Sequence, residues 1–179
     1  MFVGTETQVG ALQTHTVPTP DGPFSVIADD QAVLASGWTD DPEFFLVRFH
    51  LGKDTVFVSD QPATGPSRLA LAAVMAYYDA DPSLLSQVPL AQSVGPFHER
   101  ARAAMHAIAY GQRISYTDLA ARAGNPRASR AAAAACASNH TALFMPCHRV
   151  VRSDGSLGGF LYGLLVKQSL LDREAGARA

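Results

Sequence analysis

Cysteine is scarce in this 179-residue chain: Cys136 and Cys147 are the only two, too few for a disulfide framework or a thiolate metal cluster. No stretch approaches about 18 uninterrupted apolar residues, which excludes a membrane-spanning helix of the usual kind. Met1 to Gly10 lacks a basic flank leading into an apolar run, so no secretory signal is expected and the expected location is cytoplasmic. Charge is low, at 17%, and hydrophobic content is 47%, a balance that excludes an intrinsically disordered chain and supplies a real core. Lysine is nearly missing. Twelve of the fourteen basic residues are arginine, the type suited to bidentate phosphate contacts and to stacking on bases.

Each half of the chain also lacks charge of one sign. The first 93 residues hold three basic residues (Arg48, Lys53, Arg68) against eleven acidic ones; the remaining 86 hold eleven basic against five acidic. A net of −8 followed by a net of +6 is hidden in the overall −2, and the basic half fits either a nucleic-acid surface or an ordinary solvated face.

The first half reads as short strands and one helix. Leu12 to Val17, Phe24 to Ala28, Ala32 to Trp38, Phe44 to Phe49 and Thr55 to Val58 are rich in β-branched and aromatic residues. Pro18 to Pro23 and Asp29-Asp30-Gln31 separate the first three, and Leu51-Gly52-Lys53-Asp54 suits a hairpin turn. From Pro66, Leu69, Ala73, Val74 and Tyr77 recur at helical spacing. Residues 81–95, with little periodicity, read as a linker between a small α/β domain (1–80) and a mainly helical one (96–179).

In the second half, a helix is expected from Phe97 to Tyr110, stopped by Gly111. Ser115 and Asp118 form a capping-box pattern for a short helix through Ala123. Gly124-Asn125-Pro126 then supplies a turn, an N-cap and a first-turn proline for a helix from about Arg127 to Ala137. Two short helices around a glycine turn fit a helix-turn-helix as well as a plain α-hairpin. Arg127, Ser129, Arg130 and Ala131 open the second helix, whose alanine run leaves little bulk between it and a groove floor; alanine is also simply the best helix former.

The stretch Pro146-Cys147-His148-Arg149-Val150 puts a cysteine beside two groups that favour a thiolate near neutral pH. Cys136, inside the alanine run, reads as an inert packing cysteine. His15, His50, His98, His106 and His140 show no metal-ligand spacing.

These residues carry a resemblance. Ser115-Tyr116, Gly124-Asn125-Pro126, Arg130, Asn139, Pro146 to Val150, Asp154-Gly155, Gly158-Gly159-Phe160, Gly163, Lys167, Leu170-Leu171 and Glu174 closely resemble, in order and spacing, the O6-alkylguanine-DNA alkyltransferases. Residues 1–80 fit that family only loosely, as its lid domain with a ribonuclease-H-like sheet. The resemblance implies single-turnover repair of double-stranded DNA: the flipped-out nucleotide loses its alkyl group to Cys147, which is relayed through water to His148 and on to Glu174. It implies minor-groove entry of the second helix, with Arg130 filling the gap left by the base. Tyr116 would crowd the 3′ phosphate and donate to guanine N3, backbone groups of Cys147 and Val150 would accept from the exocyclic amine, and Asn139 would tie the helix to the active-site turn, beside a reading of Asn139 as a left-handed helix cap.

Phe160, Leu161, Tyr162 and Lys167 would complete the base pocket. Leu161-Tyr162 departs from the commoner small-residue pattern there, and Tyr162 is expected to narrow the pocket in favour of methyl groups. Arg102 and Ala109 depart from the family's usual tryptophan and proline. No metal and no cofactor are expected, and the partner is DNA, with a monomer expected and cooperative assembly on DNA left open. The competing readings are a lesion-binding protein without transfer activity, a helix-turn-helix transcription regulator, and a Cys-His hydrolase. Retention of Cys147, His148 and Glu174 argues against the first, and the scarcity of side chains able to read base edges argues against the second. No oxyanion-hole signature supports the third.

Overall fold

The computed structural model describes residues 12–49, 57–92 and 94–176. The expected turn at residues 51–54 lies outside them. Among the described residues, the first half is a sheet with one helix on each face. Strands β1 (Leu12–Thr19), β2 (Gly22–Ala28) and β3 (Val33–Gly37) are antiparallel neighbours, and the short β4 (Phe57–Val58) pairs in parallel with β1, giving the order β3-β2-β1-β4. Pro18 and Pro23, expected to lie between strands, are inside them and opposite each other, and only Pro20-Asp21 turns the hairpin.

Alternation along β2 sends side chains to two different cores. Phe24, Val26 and Ala28 face α2 (Gly65–Tyr78) and pack on its Ala70, Ala73, Val74 and Tyr77. Ile27 joins Leu12 and Ala35 on the other face, covered by Phe45 and Phe49 of α1 (Pro42–Phe49).

Helix α1 corrects the sequence reading of Phe44 to Phe49 as a strand. Phe45 and Phe49, four apart, are buried while Val47 is 78% exposed, a helical and not a two-residue period. Asp41 starts the helix by accepting the Glu43 N–H at 2.9 Å, ahead of Pro42 at a position that needs no donor. Aromatic strand propensity lost to this start signal and to tertiary packing.

The second half contains α3 (Pro96–His106), β5 (Ile114–Ser115), α4 (Tyr116–Arg122), α5 (Ser129–Ala137), β6 (Val150–Val151) and α6 (Leu164–Gly176), with a 3-10 turn at Cys147–Arg149. Ala101, Ala123 and Ala135 let α3, α4 and α5 approach closely. The expected capping box forms: the Ser115 hydroxyl accepts the Asp118 N–H and the Asp118 carboxylate accepts the Ser115 N–H.

Two helix boundaries differ from expectation. Helix α3 ends at His106 and not at Tyr110, because the Ile108 carbonyl and the Gly111 N–H are used by side chains of the second half, Arg149 and Glu174. Helix α5 starts at Ser129. Asn125 does not cap it but closes its own turn, accepting Arg127 N–H on its side chain and Ala128 N–H on its carbonyl.

The halves are joined along the free edge of β3. Val33 exchanges backbone hydrogen bonds with Pro89 and Ala91 of the 81–95 segment, and Ser36 with His140 and Ala142 of the second half, so both stretches cover the edge. Leu85 and Val88, within residues 81–95, are buried in the same core as Phe144 and Leu170.

Gly37, at the end of β3, sits against the ring of Tyr162, and a Cβ built on it overlaps that ring. The Tyr162 hydroxyl donates to the Ser36 carbonyl at 3.1 Å, and its ring meets Trp38, Phe44 and Phe160. Gly37→Ala is expected to swing Tyr162 out and to lower stability by about 1–3 kcal/mol in urea unfolding. In a Tyr162→Ala background the same change should cost far less; equal costs in both backgrounds would show that the ring is not what the methyl displaces.

Candidate active site

The dominant feature of the second half is a buried carboxylate with many donors. Glu174, on α6, is 1% exposed. Its Oε1 lies 2.8 Å from His148 Nε2 and accepts from Arg149 Nη2 at 3.0 Å and from the Tyr77 hydroxyl at 3.3 Å. Its Oε2 accepts from Arg149 Nε at 2.8 Å and from the Gly111 N–H at 3.0 Å. Burial pushes this carboxyl up, but the hydrogen bonds and charges of His148 and Arg149 more than reverse that and leave it at about 2.

Arg149 balances the Glu174 charge, so a protonated His148 would place a second cation in the same dry site. Burial accordingly holds His148 below its ordinary value, although Glu174 pulls the other way. A carboxylate only accepts, so the neutral imidazole carries its proton on Nε2. Nδ1 is buried and has no hydrogen-bond partner among the described residues.

One residue earlier, Cys147 opens the 3-10 turn with 7% exposure and lines a cavity of about 260 Å³. Asn139 holds the turn: its Nδ2 donates to the Met145 carbonyl at 2.9 Å and to Cys147 Sγ at 3.1 Å, and its Oδ1 accepts the Thr141 N–H. It follows the helix cap, Ser138, and is not in the left-handed region, so that reading of Asn139 is corrected. The resting thiolate expected from sequence is corrected as well. Burial pushes the Cys147 thiol up, and the Asn139 hydrogen bond and the Lys167 charge offset this only in part. Arg149, expected to favour a thiolate, is spent on Glu174.

Phe160, Leu161 and Tyr162 form one wall of the cavity, and Tyr116 forms another. Burial raises the Tyr116 phenol to about 12, keeping it a donor at neutral pH. A Cβ at Gly158 would come within 2.9 Å of the Tyr116 hydroxyl, and its φ of +69° also favours glycine.

Val150 and Lys167 lie outside the cavity lining. Lys167 is fully buried, and its Nζ donates to the carbonyls of Val150 at 2.7 Å, Leu157 at 2.6 Å and Gly159 at 3.4 Å. It thereby ties down the loop that carries the Phe160 wall. Arg127, Arg130, Ser129 and Ala131 are also outside the lining; the two arginines are exposed at and before the start of α5, whose later residues Ala133, Cys136 and Ala137 face the cavity.

Sequence reasoning missed four contributors. Tyr77 carries no local signal, since its role depends on α2 meeting α6. Gly111 acts through its backbone. Arg48 lines the cavity from α1, in the misread strand, and Cys136 lines it although read as inert packing. Among the described residues, no three His, Cys, Asp or Glu side chains converge to hold a metal ion.

Residues 96–176 match a family model described as 6-O-methylguanine DNA methyltransferase, DNA binding domain. The chain is 32% identical over 166 residues to a methylated-DNA–protein-cysteine methyltransferase of Shigella flexneri, covering 91% of this chain and 95% of that one. It is 41% identical over 115 residues to the regulatory protein ada of Salmonella typhimurium, covering 64% of this chain and 32% of that longer protein. The crystal structure of Mycobacterium tuberculosis O6-methylguanine methyltransferase superposes with a TM-score of 0.72 at 25% identity, covering 93% of each chain.

The buried triad makes stability acid-sensitive. Glu174 is depressed, so its contribution is full above its ordinary value of 4.5 and is lost as pH falls toward about 2. His148 is also depressed, so its share is lost as pH falls below 6.5. Urea midpoints should therefore decline below pH 6.5 and more steeply below 4.5; a flat profile from pH 7 to 4 would refute the assignment. Glu174→Gln, which strands the Arg149 charge, is expected to cost about 3–5 kcal/mol at neutral pH.

Proposed function

The chain belongs to the methylated-DNA–protein-cysteine methyltransferase family, and from that premise we propose that it repairs O6-alkylguanine in double-stranded DNA by a single transfer of the alkyl group to Cys147. The observation that carries this reading is the position of Cys147 Sγ: in the lining of a cavity, held by Asn139, and one residue from a neutral imidazole oriented by Glu174.

In the reaction, Cys147 loses its proton toward His148 Nδ1, directly or through solvent. Glu174 stabilises the imidazolium that forms, as the third member of such a relay does. The sulfur forms its bond to the alkyl carbon as the bond from that carbon to guanine O6 breaks. The electron pair stays with the guanine, which takes up a proton, and the cysteine becomes a thioether with no hydrolytic route back. A thiol that ionises only on demand fits a nucleophile meant to be used once.

A base inside a duplex is out of reach, so the nucleotide must be flipped into the cavity. We assign α4 and α5 as a helix-turn-helix entering the minor groove, with Arg127 and Arg130 exposed where α5 begins. Arg130 fills the space left by the base, with Ser129 and Ala131 beside it. Tyr116 crowds the phosphate and donates to guanine N3. Backbone groups of Cys147 and Val150 accept from the exocyclic amine; the Val150 carbonyl already accepts from Lys167, which leaves it one lone pair. The Leu161 amide donates to O6. The ribonuclease-H-like sheet of residues 1–80, joined through 81–95, acts as a lid, and the protein works as a cytoplasmic monomer. A binder without transfer activity would have no use for a cysteine, histidine and glutamate arranged in this way.

Intact mass after incubation with a duplex carrying one O6-methylguanine should rise by one methylene, and Cys147→Ser should abolish the gain. Tight lesion binding without any gain would move the reading to a damage-sensing binder. With Tyr162 seated against Gly37, methyl should transfer faster than benzyl, and equal rates would remove Tyr162 as a filter. Affinity for plain duplex should fall steeply with salt and barely depend on sequence, and Arg130→Ala should weaken lesion binding on every sequence tested.

A further inference from the structure

Glu174 has more donors around it than places to receive them. An ionised carboxylate offers about four lone-pair directions, two on each oxygen. Oε2 is filled by Arg149 Nε and the Gly111 N–H. Oε1 meets three donors: His148 Nε2 at 2.8 Å, Arg149 Nη2 at 3.0 Å and the Tyr77 hydroxyl at 3.3 Å. Of these, Tyr77 alone comes from the sheet half, fully buried on α2. Burial and the Glu174 charge hold its phenol far above the usual range, so it stays a donor.

The donors on Oε1 compete. Negative charge drawn toward the Tyr77 hydroxyl is not available to His148, and a carboxylate that grips the Nε2 proton less firmly leaves the imidazole less basic. A less basic imidazole pulls less on the Cys147 proton. We propose that Tyr77 is a positioning residue through which the sheet half restrains this relay and keeps the Cys147 thiol protonated at rest. Its bond, the longest of the three, is the first to yield when an imidazolium forms and tightens on Oε1. The proposal rests on the transfer reaction above and deepens it by assigning control of the nucleophile. No further proton moves: the sulfur still gives its proton toward His148 Nδ1, and the phenol keeps its own.

Other titratable and charged groups surround the carboxylate. From α2 there are Tyr77 and, beside it, Tyr78; from the segment after α3, Tyr110; from the turn, Cys147, His148 and Arg149; from α6 itself, Lys167 and Arg173. Among them, Tyr77, His148 and Arg149 bond to Glu174. Tyr110 supplies a control. Its ring stands 6.0 Å from that of Tyr77 and under the Arg149 guanidinium, but its hydroxyl has no hydrogen-bond partner among the described residues.

The test compares the native chain with Tyr77→Phe and Tyr110→Phe, each of which removes a hydroxyl and keeps the ring. Three quantities are read: the His148 Nε2 proton resonance without DNA, the rate at which iodoacetamide alkylates Cys147, and the pH profile of methyl transfer from an O6-methylguanine duplex. Peptide mass mapping separates the Cys147 adduct from one on Cys136. In Tyr77→Phe the resonance should move downfield and Cys147 alkylation at neutral pH should rise about 2- to 10-fold, the worth of one ordinary hydrogen bond. The acid limb of the transfer profile should move up by about 0.3–1 pH unit, the same factor on a logarithmic scale. Tyr110→Phe should change none of the three.

Slower transfer at every pH with an unmoved resonance would make Tyr77 a packing residue and overturn the proposal. Equal shifts in the two variants would overturn it as well, since the rings' surroundings and not the bond to Oε1 would be responsible. So would a Tyr77→Phe protein indistinguishable from the native chain. If the native chain transfers no methyl group, the repair reading fails. The resonance and the iodoacetamide rate, which need no DNA, then decide on their own whether Tyr77 restrains Cys147.

Discussion

The burial of one negative charge organises this molecule. A carboxylate stripped of water costs several kcal/mol unless its lone pairs are filled, and Glu174 fills them from three separate stretches of chain besides its own. Tyr77 comes from α2, Gly111 from the segment after α3, His148 and Arg149 from the 3-10 turn, and Glu174 itself from α6. None of these contacts is local in sequence, so the carboxylate is satisfied only when the sheet half, the helical half and the last helix are all in place. The orientation of His148, and with it the surroundings of Cys147, is therefore a consequence of the tertiary fold and not of the turn alone.

The remaining supports are of the same non-local kind. Asn139 braces the turn from one side through Met145 and Cys147. Lys167 braces the far wall by tying the carbonyls of Leu157 and Gly159, in the loop before Phe160, to that of Val150 in β6. A fully buried ammonium is tolerated there because every donor it has meets an acceptor. Thus a glutamate, an asparagine and a lysine, none of them at the surface, set the positions of the groups that line the cavity.

What was legible in the sequence was whatever depends on neighbours along the chain. The capping box of α4, the helical spacing of α2 and the strands at Leu12 and Phe24 follow from local chemistry and were readable. The Cys147 and His148 pair stood out through adjacency, and Glu174 gained meaning only from its distance to them in a known pattern. The failures have the opposite character. Phe44 to Phe49 looked like a strand because its aromatics say nothing about the partner they pack on. Helix α3 ended early because Arg149 and Glu174, more than 40 residues away, claim its last backbone groups. The resting state of Cys147 was misjudged because burial, which raises a thiol, has no signature in the residues beside it. Tyr77 and Arg48 could not be found at all without knowing which elements meet.

The seat of Tyr162 carries a lesson about comparing such proteins. The wall of the cavity belongs to the helical half, yet its shape is decided by a missing side chain on β3, where Gly37 makes room for the ring. Catalytic stretches such as Pro146 to Val150 sort chains into families, but they say little about how wide each member's cavity is. That width is written partly at the end of a strand with no motif of its own. Two homologues identical around the cysteine would therefore hold different cavities if one carried alanine in place of Gly37, and ranking them by motif alone would group together proteins that divide the work between them.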